Sequence, residues 1–125
     1  MKEKNRILVC DDDPGILEVI KIILEENDFK ILTVSTGKGI QKTITSFKPD
    51  LIFLDIWMPG IDGKEITTLI KRDPTTKKLP VIIISALNDT EDIAQKVGAD
   101  GFLSKPFTIE NLLAIVEKNL RKKSS

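Results

Sequence analysis

The chain is predicted to fold as an α/β domain, a parallel sheet with helices on both faces. Two observations carry that prediction. Short strand-like apolar runs alternate five times with segments whose apolar residues recur at helical spacing. The best of these runs are continuously apolar rather than alternating, which marks strands buried on both faces. Right-handed crossovers then limit how such a sheet can be wound.

The first strand is Ile7-Leu8-Val9-Cys10, which stops at Asp11-Asp12-Asp13-Pro14. Pro14 suits the first helical position and Asp13 the N-cap. Ile16, Leu17, Ile20, Ile23 and Leu24 then form a helical face up to Asn27. Lys30–Val34 is a weaker, edge-like strand. A helix is expected from Ser35 or Thr36, with Ile40, Ile44 and Phe47 as its face, although Gly37 and Gly39 weaken its first turn. Leu51–Leu54 runs into Asp55, and Pro59, Gly60, Asp62 and Gly63 close that segment with turn residues. Asp62 and Glu65 stand in capping-box spacing before a face of Ile66, Leu69 and Ile70, and Asp73-Pro74 ends the helix. Val81–Ile84 is the most strand-like run and ends at Ser85. Asp89–Val97 reads as a short helix with little apolar surface, stopped by Gly98. Gly101–Ser104 is the last strand, ending at Lys105-Pro106. A final helix runs from Thr108 to about Arg121, with Ile109, Leu112, Leu113, Val116 and Leu120 on one side.

At 125 residues the chain is one domain with one core. Nineteen basic and nineteen acidic residues cancel, so no global field draws nucleic acid or an anionic membrane. Arg121-Lys122-Lys123 reads as a solvated helix end, where the macrodipole favours cations. No apolar run approaches the roughly 18 residues of a membrane span, and nothing resembles a signal peptide. A single cysteine, Cys10, precludes an internal disulfide and fits a reducing, cytoplasmic setting. Histidine is absent, which removes histidine-based acid/base catalysis, metal ligation and phosphohistidine chemistry from this chain.

In a parallel sheet the strand ends lie along one edge, and ligands bind outside the C-terminal ends. The residues found there are Asp11, Asp12, Asp55, Ser85 and Lys105. Each alone has a bland explanation as a cap or a turn; their coincidence at successive strand ends does not. Two carboxylates about 4 Å apart repel by about 4 kcal/mol at an effective dielectric near 20. A divalent cation relieves this, and an all-oxygen set suits Mg²⁺ or Mn²⁺ rather than zinc. Lys105 adds a cation for a phosphoryl group and Ser85 a hydroxyl. Asp55 is the natural nucleophile toward phosphorus, since the acidic pair serves better as metal ligands.

From about Lys4 to Arg121 the chain resembles the receiver domain of two-component response regulators. The matching pieces are ILVCDDDP, LIFLDIWMPGIDG, PVIIISA and GADGFLSKPF, in that family's order. The resemblance implies a receiver domain over residues 4–121 followed by a basic and polar tail, 122–125. It implies a doubly wound, flavodoxin-like five-stranded parallel sheet of order 2-1-3-4-5. Asp55 then matches the phosphoacceptor, Asp11 and Asp12 the Mg²⁺-binding pair, and the Trp57 backbone carbonyl a further ligand. Ser85 matches the switch hydroxyl, Phe102 the switch aromatic (commonly tyrosine) and Lys105 the phosphate-pairing lysine, with a cis peptide before Pro106. The implied function is Mg²⁺-dependent transfer from a histidine kinase or phosphotransfer protein to Asp55. That transfer would switch the surface of the fourth helix, last strand and last helix for an output domain or target protein. Such a chain is not an enzyme beyond its own phosphoryl transfer and autodephosphorylation. Trp57 and Leu87 are expected to screen the acyl phosphate from water.

Three other readings compete. A haloacid-dehalogenase-type phosphatase wants an aspartate where Trp57 stands. A flavin site lacks a phosphate-binding loop after the first strand. A degenerate receiver acting as a phosphorylation-independent docking module would not need all five polar residues.

Overall fold

The four continuously apolar or edge runs and the short last strand become five strands of one parallel sheet. The computed structural model describes the backbone of residues 4–58, 61–86 and 90–124, with side chains in those spans except at 61, 90 and 121–124. The expected turn residues Pro59 and Gly60, the expected helix start Asp89, Leu87 and the side chains of Arg121-Lys122-Lys123 lie outside the described residues. In chain order the elements are β1 (Arg6–Cys10), α1 (Pro14–Glu26), β2 (Lys30–Val34), α2 (Ile40–Phe47) and β3 (Leu51–Asp55). They continue as α3 (Gly63–Arg72), β4 (Val81–Ser85), α4 (Thr90–Val97), β5 (Gly101–Ser104) and α5 (Ile109–Ser124). The strand order is β2-β1-β3-β4-β5, all parallel, which is the expected 2-1-3-4-5 winding.

Alternation along each central strand splits the core in two. Leu8, Cys10, Ile52, Leu54, Val81 and Ile83 meet the buried residues of α2, α3 and α4 on one face. Ile7, Val9, Leu51, Phe53, Ile82 and Ile84 meet those of α1 and α5 on the other. Each fully buried side chain of this kind contributes about 1.5–3 kcal/mol. Both faces are therefore covered, and polar chemistry is left to the strand ends.

Capping follows the residues that best accept amide hydrogens. The Asp13 carboxylate accepts from Gly15 N (2.8 Å) and Ile16 N (3.4 Å) at the start of α1. The Asp62 carboxylate accepts from Lys64 N (2.9 Å) before α3. Thr108 Oγ1 accepts from Asn111 N (3.0 Å) before α5.

Several expectations are corrected. α2 begins at Ile40, not at Ser35 or Thr36: Gly39 sits at φ 72° as its N-cap, and Thr36 Oγ1 diverts Lys38 N into a local turn. Leu69 is 47% exposed, because the buried line of α3 is Gly63, Ile66, Thr67 and Ile70. At roughly 100° per residue, Leu69 stands well round the helix from that line. Ile109 is 54% exposed at the first position of α5. Asn119 instead joins the buried face beside Leu112 and Val116, its amide donating to Ile115 O. α5 runs to Ser124, past the expected helix end near Arg121. A two-residue antiparallel ladder, Trp57-Met58 against Ile61-Asp62, was not anticipated.

Candidate functional site

Three strands deliver the site. β1 ends at Cys10, and the next residue, Asp11, is held in line by its N–H to Val34 O of β2 (3.1 Å). Its side chain is fully buried. Asp11 Oδ1 accepts from Asp13 N at 2.9 Å, and Oδ2 faces Lys105 Nζ at 2.9 Å. That second contact has the distance of an ion pair without the angle of a hydrogen bond. Oδ2 is thus a buried oxygen with no hydrogen-bond partner among the described residues. Asp12 is exposed, and Asp13 is committed to capping α1. The three successive aspartates therefore divide between a buried anion, an exposed one and a cap.

Asp55 is the last residue of β3, paired in register with Ile84 of β4, and it is only 4% exposed. Its Oδ1 accepts from Trp57 N (3.1 Å), and its Oδ2 lies 3.8 Å from Lys105 Nζ. Burial pushes its carboxyl up to about 6 from an ordinary 3.8; the Asp11 charge adds to the rise, while the Trp57 N–H and Lys105 oppose it. Lys105, one residue beyond β5, is partly desolvated, which lowers its affinity for a proton. The Asp11 carboxylate, then Asp55 and Asp13, more than offset this and hold its ammonium above the usual lysine value. Lys105 is placed by its N–H to Ser85 O (2.9 Å) and precedes a cis peptide to Pro106, as the resemblance implies.

Ser85, buried at the end of β4, stands one residue beyond Asp55's register partner. Phe102 on β5 is 37% exposed and lines a cavity of about 480 Å³ with Ser104, Pro106, Ala114, Ile115 and Lys118. In register with Ile83, the aromatic stands on the α4 face of the sheet, at its exposed edge and beside residues of both α4 and α5. Trp57 is 56% exposed, with the Lys64 ammonium 5.4 Å from the centre of its ring. Of the two residues expected to screen the site, Trp57 meets Asp55 through its backbone N–H while its indole lies exposed beside Lys64, and Leu87 is outside the described residues.

The donor set fits a hard divalent cation. One carboxylate oxygen each from Asp11, Asp12 and Asp55 lies within 4.8 Å of the others, and Asp11 carries a buried oxygen without a hydrogen bond. Few, anionic, oxygen-only ligands suit Mg²⁺ or Mn²⁺.

Sequence reasoning overlooked one residue that shapes the site. A Cβ at Gly63 would lie 2.7 Å from both Asp55 O and Ile56 Cα, so α3 starts in backbone contact with the end of β3. Gly63 N also donates to Ile56 O (3.2 Å). The available signal was a glycine placed just inside a helix, where only close approach justifies it.

Residues 7–117 match the family model of the response regulator receiver domain. The chain is 37% identical over 119 residues to the DNA-binding dual master transcriptional regulator RpaA of Synechocystis, covering 94% of this chain and 49% of that protein. It spans about half the length of the curated relatives it matches. Among solved structures it superposes on the signal receiver domain of a histidine kinase from Syntrophus aciditrophicus with a TM-score of 0.86. That match has 32% identity and covers 94% of this chain and 91% of the other. NtrX of Brucella abortus matches with a TM-score of 0.87 and 30% identity, over 97% of this chain and 28% of the other. The buried acid pair and its lysine thus stand on a fold and within a sequence pattern that identify the chain as a member of the response regulator receiver domain family of two-component signal transduction.

Proposed function

We propose that this receiver domain accepts a phosphoryl group on Asp55 from a phosphohistidine of a histidine kinase or phosphotransfer protein, or from a small phosphodonor. The observation that carries the reading is the buried group of Asp11, Asp55 and Lys105, in which Asp11 Oδ2 lacks a hydrogen bond. Asp55 Oδ2 is the nucleophile, because Oδ1 is held by the Trp57 N–H. It forms a bond to phosphorus as the P–N bond of the donor breaks, and the donor imidazole keeps the electron pair. Lys105, already between the two carboxylates, balances the charge carried in by the phosphoryl oxygens. Ser85 offers its hydroxyl to one of those oxygens after transfer. Asp11, Asp12, Asp55 and the Trp57 carbonyl would hold Mg²⁺ or Mn²⁺, which would supply charge neutralisation at the transferring group.

The chain acts on no other substrate; it catalyses its own phosphorylation and autodephosphorylation. Trp57 slows access of water to the acyl phosphate. The readout is a shift of the surface formed by α4, β5 and α5 toward an output domain or target protein, with Ser85 and Phe102 as switch residues. No described helix is long and apolar enough to cross a membrane. The phosphotransfer reading carries with it a cytoplasmic location. Titration with Mg²⁺ and then beryllofluoride, followed by Trp57 fluorescence, tests this. A saturable change that is lost in Asp55→Asn supports the reading; no metal-dependent change favours a phosphorylation-independent docking module.

A further inference from the structure

At the edge of the sheet opposite the site, one ammonium ties four segments together. Lys71, in the last turn of α3, donates to Leu79 O (2.8 Å) and Lys77 O (3.3 Å) of the loop that leads into β4. It also pairs with Asp100 Oδ2, immediately before β5. An ammonium has three protons, and these three acceptors use them all. Asp100 Oδ2 additionally accepts from Val81 N (2.8 Å), while Asp100 N donates to Val81 O (2.9 Å). The Lys71 side chain is 17% exposed and that of Asp100 36%, so the ammonium is shielded while its carboxylate partner still meets solvent.

The node sits where α4 hands the chain to β5. Gly98, at φ 79°, ends α4; Gly98 N donates to Gln95 O and Ala99 N to Ala94 O, and Asp100 follows at once. The described buried side chains of α4 are Ile93 and Ala94, packed among Ile66, Ile70, Leu79 and Ile83. Glu91 and Asp92, in its first turn, are exposed. The core thus grips this helix near its middle, and the node fixes the chain just beyond its C-terminal end.

We propose that the Lys71–Asp100 node is a fixed pivot for α4. It remains intact in both signalling states and confines the displacement linked to phosphorylation to the N-terminal half of the helix. The pivot rests on the phosphoacceptor reading above, because that reading supplies the second state. Lys71 and Asp100 are distant from the reacting atoms and act only by position. They make α4 swing about one end rather than slide as a rigid rod.

Spin-label distances test this in the whole chain. A label at Lys21→Cys on α1 serves as reference, paired in turn with one at Glu91→Cys or Lys96→Cys, all exposed positions. Cys10 is fully buried, with its thiol pushed up by burial, and does not compete for label. With Mg²⁺ and beryllofluoride the Glu91 distance is expected to change at least about twice as much as the Lys96 distance, on the ångström scale of helix shifts. In Lys71→Met the Lys96 distance is expected to change as much as that of Glu91. Asp100→Asn, which keeps an oxygen for Val81 N and so spares folding, is expected to do the same. Equal displacement of both labels in the unmodified node, or a shift that stays confined in both variants, overturns the pivot. A Trp57 fluorescence response with neither label moving overturns the pivot and leaves the phosphoacceptor site standing. No fluorescence response overturns both.

Discussion

Asp55 ends a strand whose other four residues are completely buried, so its charge is held where ionisation is costly. Its carboxyl is raised to about 6 in the fold against an ordinary 3.8, chiefly by burial. Between those values the unfolded chain has already lost the proton that the folded chain keeps. The metal-free protein therefore loses stability as pH rises through that window, and the penalty is fully present above it. Asp55→Asn removes it. We expect the variant to be more stable than the parent by on the order of 2 kcal/mol at pH 7.5 without divalent cations. The gain should shrink toward zero near pH 4, as read by urea denaturation at both pH values. A gain that does not change with pH would mean that the Asp55 carboxyl is not held up by its surroundings. Asp11 Oδ2, buried without a hydrogen bond, faces the Lys105 ammonium at 2.9 Å.

At the scale of elements, α3 does more for the site than its sequence suggests. Its first residue touches the backbone of Asp55 and Ile56, and the ladder pairs Trp57-Met58 with Ile61-Asp62 just before the helix. The segment that carries the Trp57 N–H to Asp55 is thereby fixed at both ends. Gly63→Ala places a methyl group 2.7 Å from backbone that has no room to yield. The expected cost is about 1–3 kcal/mol of stability, together with weaker Mg²⁺ binding, measured by denaturation and by Trp57 fluorescence. An unchanged Mg²⁺ affinity would separate the packing of α3 from the shape of the site. Strands and caps were legible because each is written locally: an apolar run stopped by Asp, Ser or Lys, or an aspartate or threonine before a helix. The start of α2 was not, because two glycines and a threonine turn compete with helix over residues 36–39. Leu69 and Ile109 misled because apolar character alone does not say which side of a helix meets the sheet. That is decided by tertiary packing, and Asn119 shows the converse, a polar residue buried with its amide bonded within the helix.

Across the whole molecule, the parallel sheet turns sequence positions as far apart as Asp11 and Lys105 into contacts of 2.9 Å. That convergence could be foreseen from the residues at which the apolar runs stop, since all parallel strands point the same way. Its inner geometry could not: which oxygen of Asp11 lacks a hydrogen bond, and how closely α3 approaches Asp55, depend on side-chain and backbone packing that no run of residues records. The Lys71–Asp100 node escaped notice for a similar reason, because its members lie 29 residues apart and resemble ordinary surface charges. Both ends of the sheet thus carry a lysine that joins distant segments, Lys105 between two carboxylates at the site and Lys71 between one carboxylate and two backbone carbonyls at the other end. The central claim is that Asp55 is the phosphoacceptor, and the most direct measurement is incorporation from a small phosphodonor, mapped by mass spectrometry. One phosphoryl group per chain, located on Asp55, dependent on Mg²⁺ and absent from Asp55→Asn, is the predicted result. Label on another residue, or none with the metal present, would contradict the account.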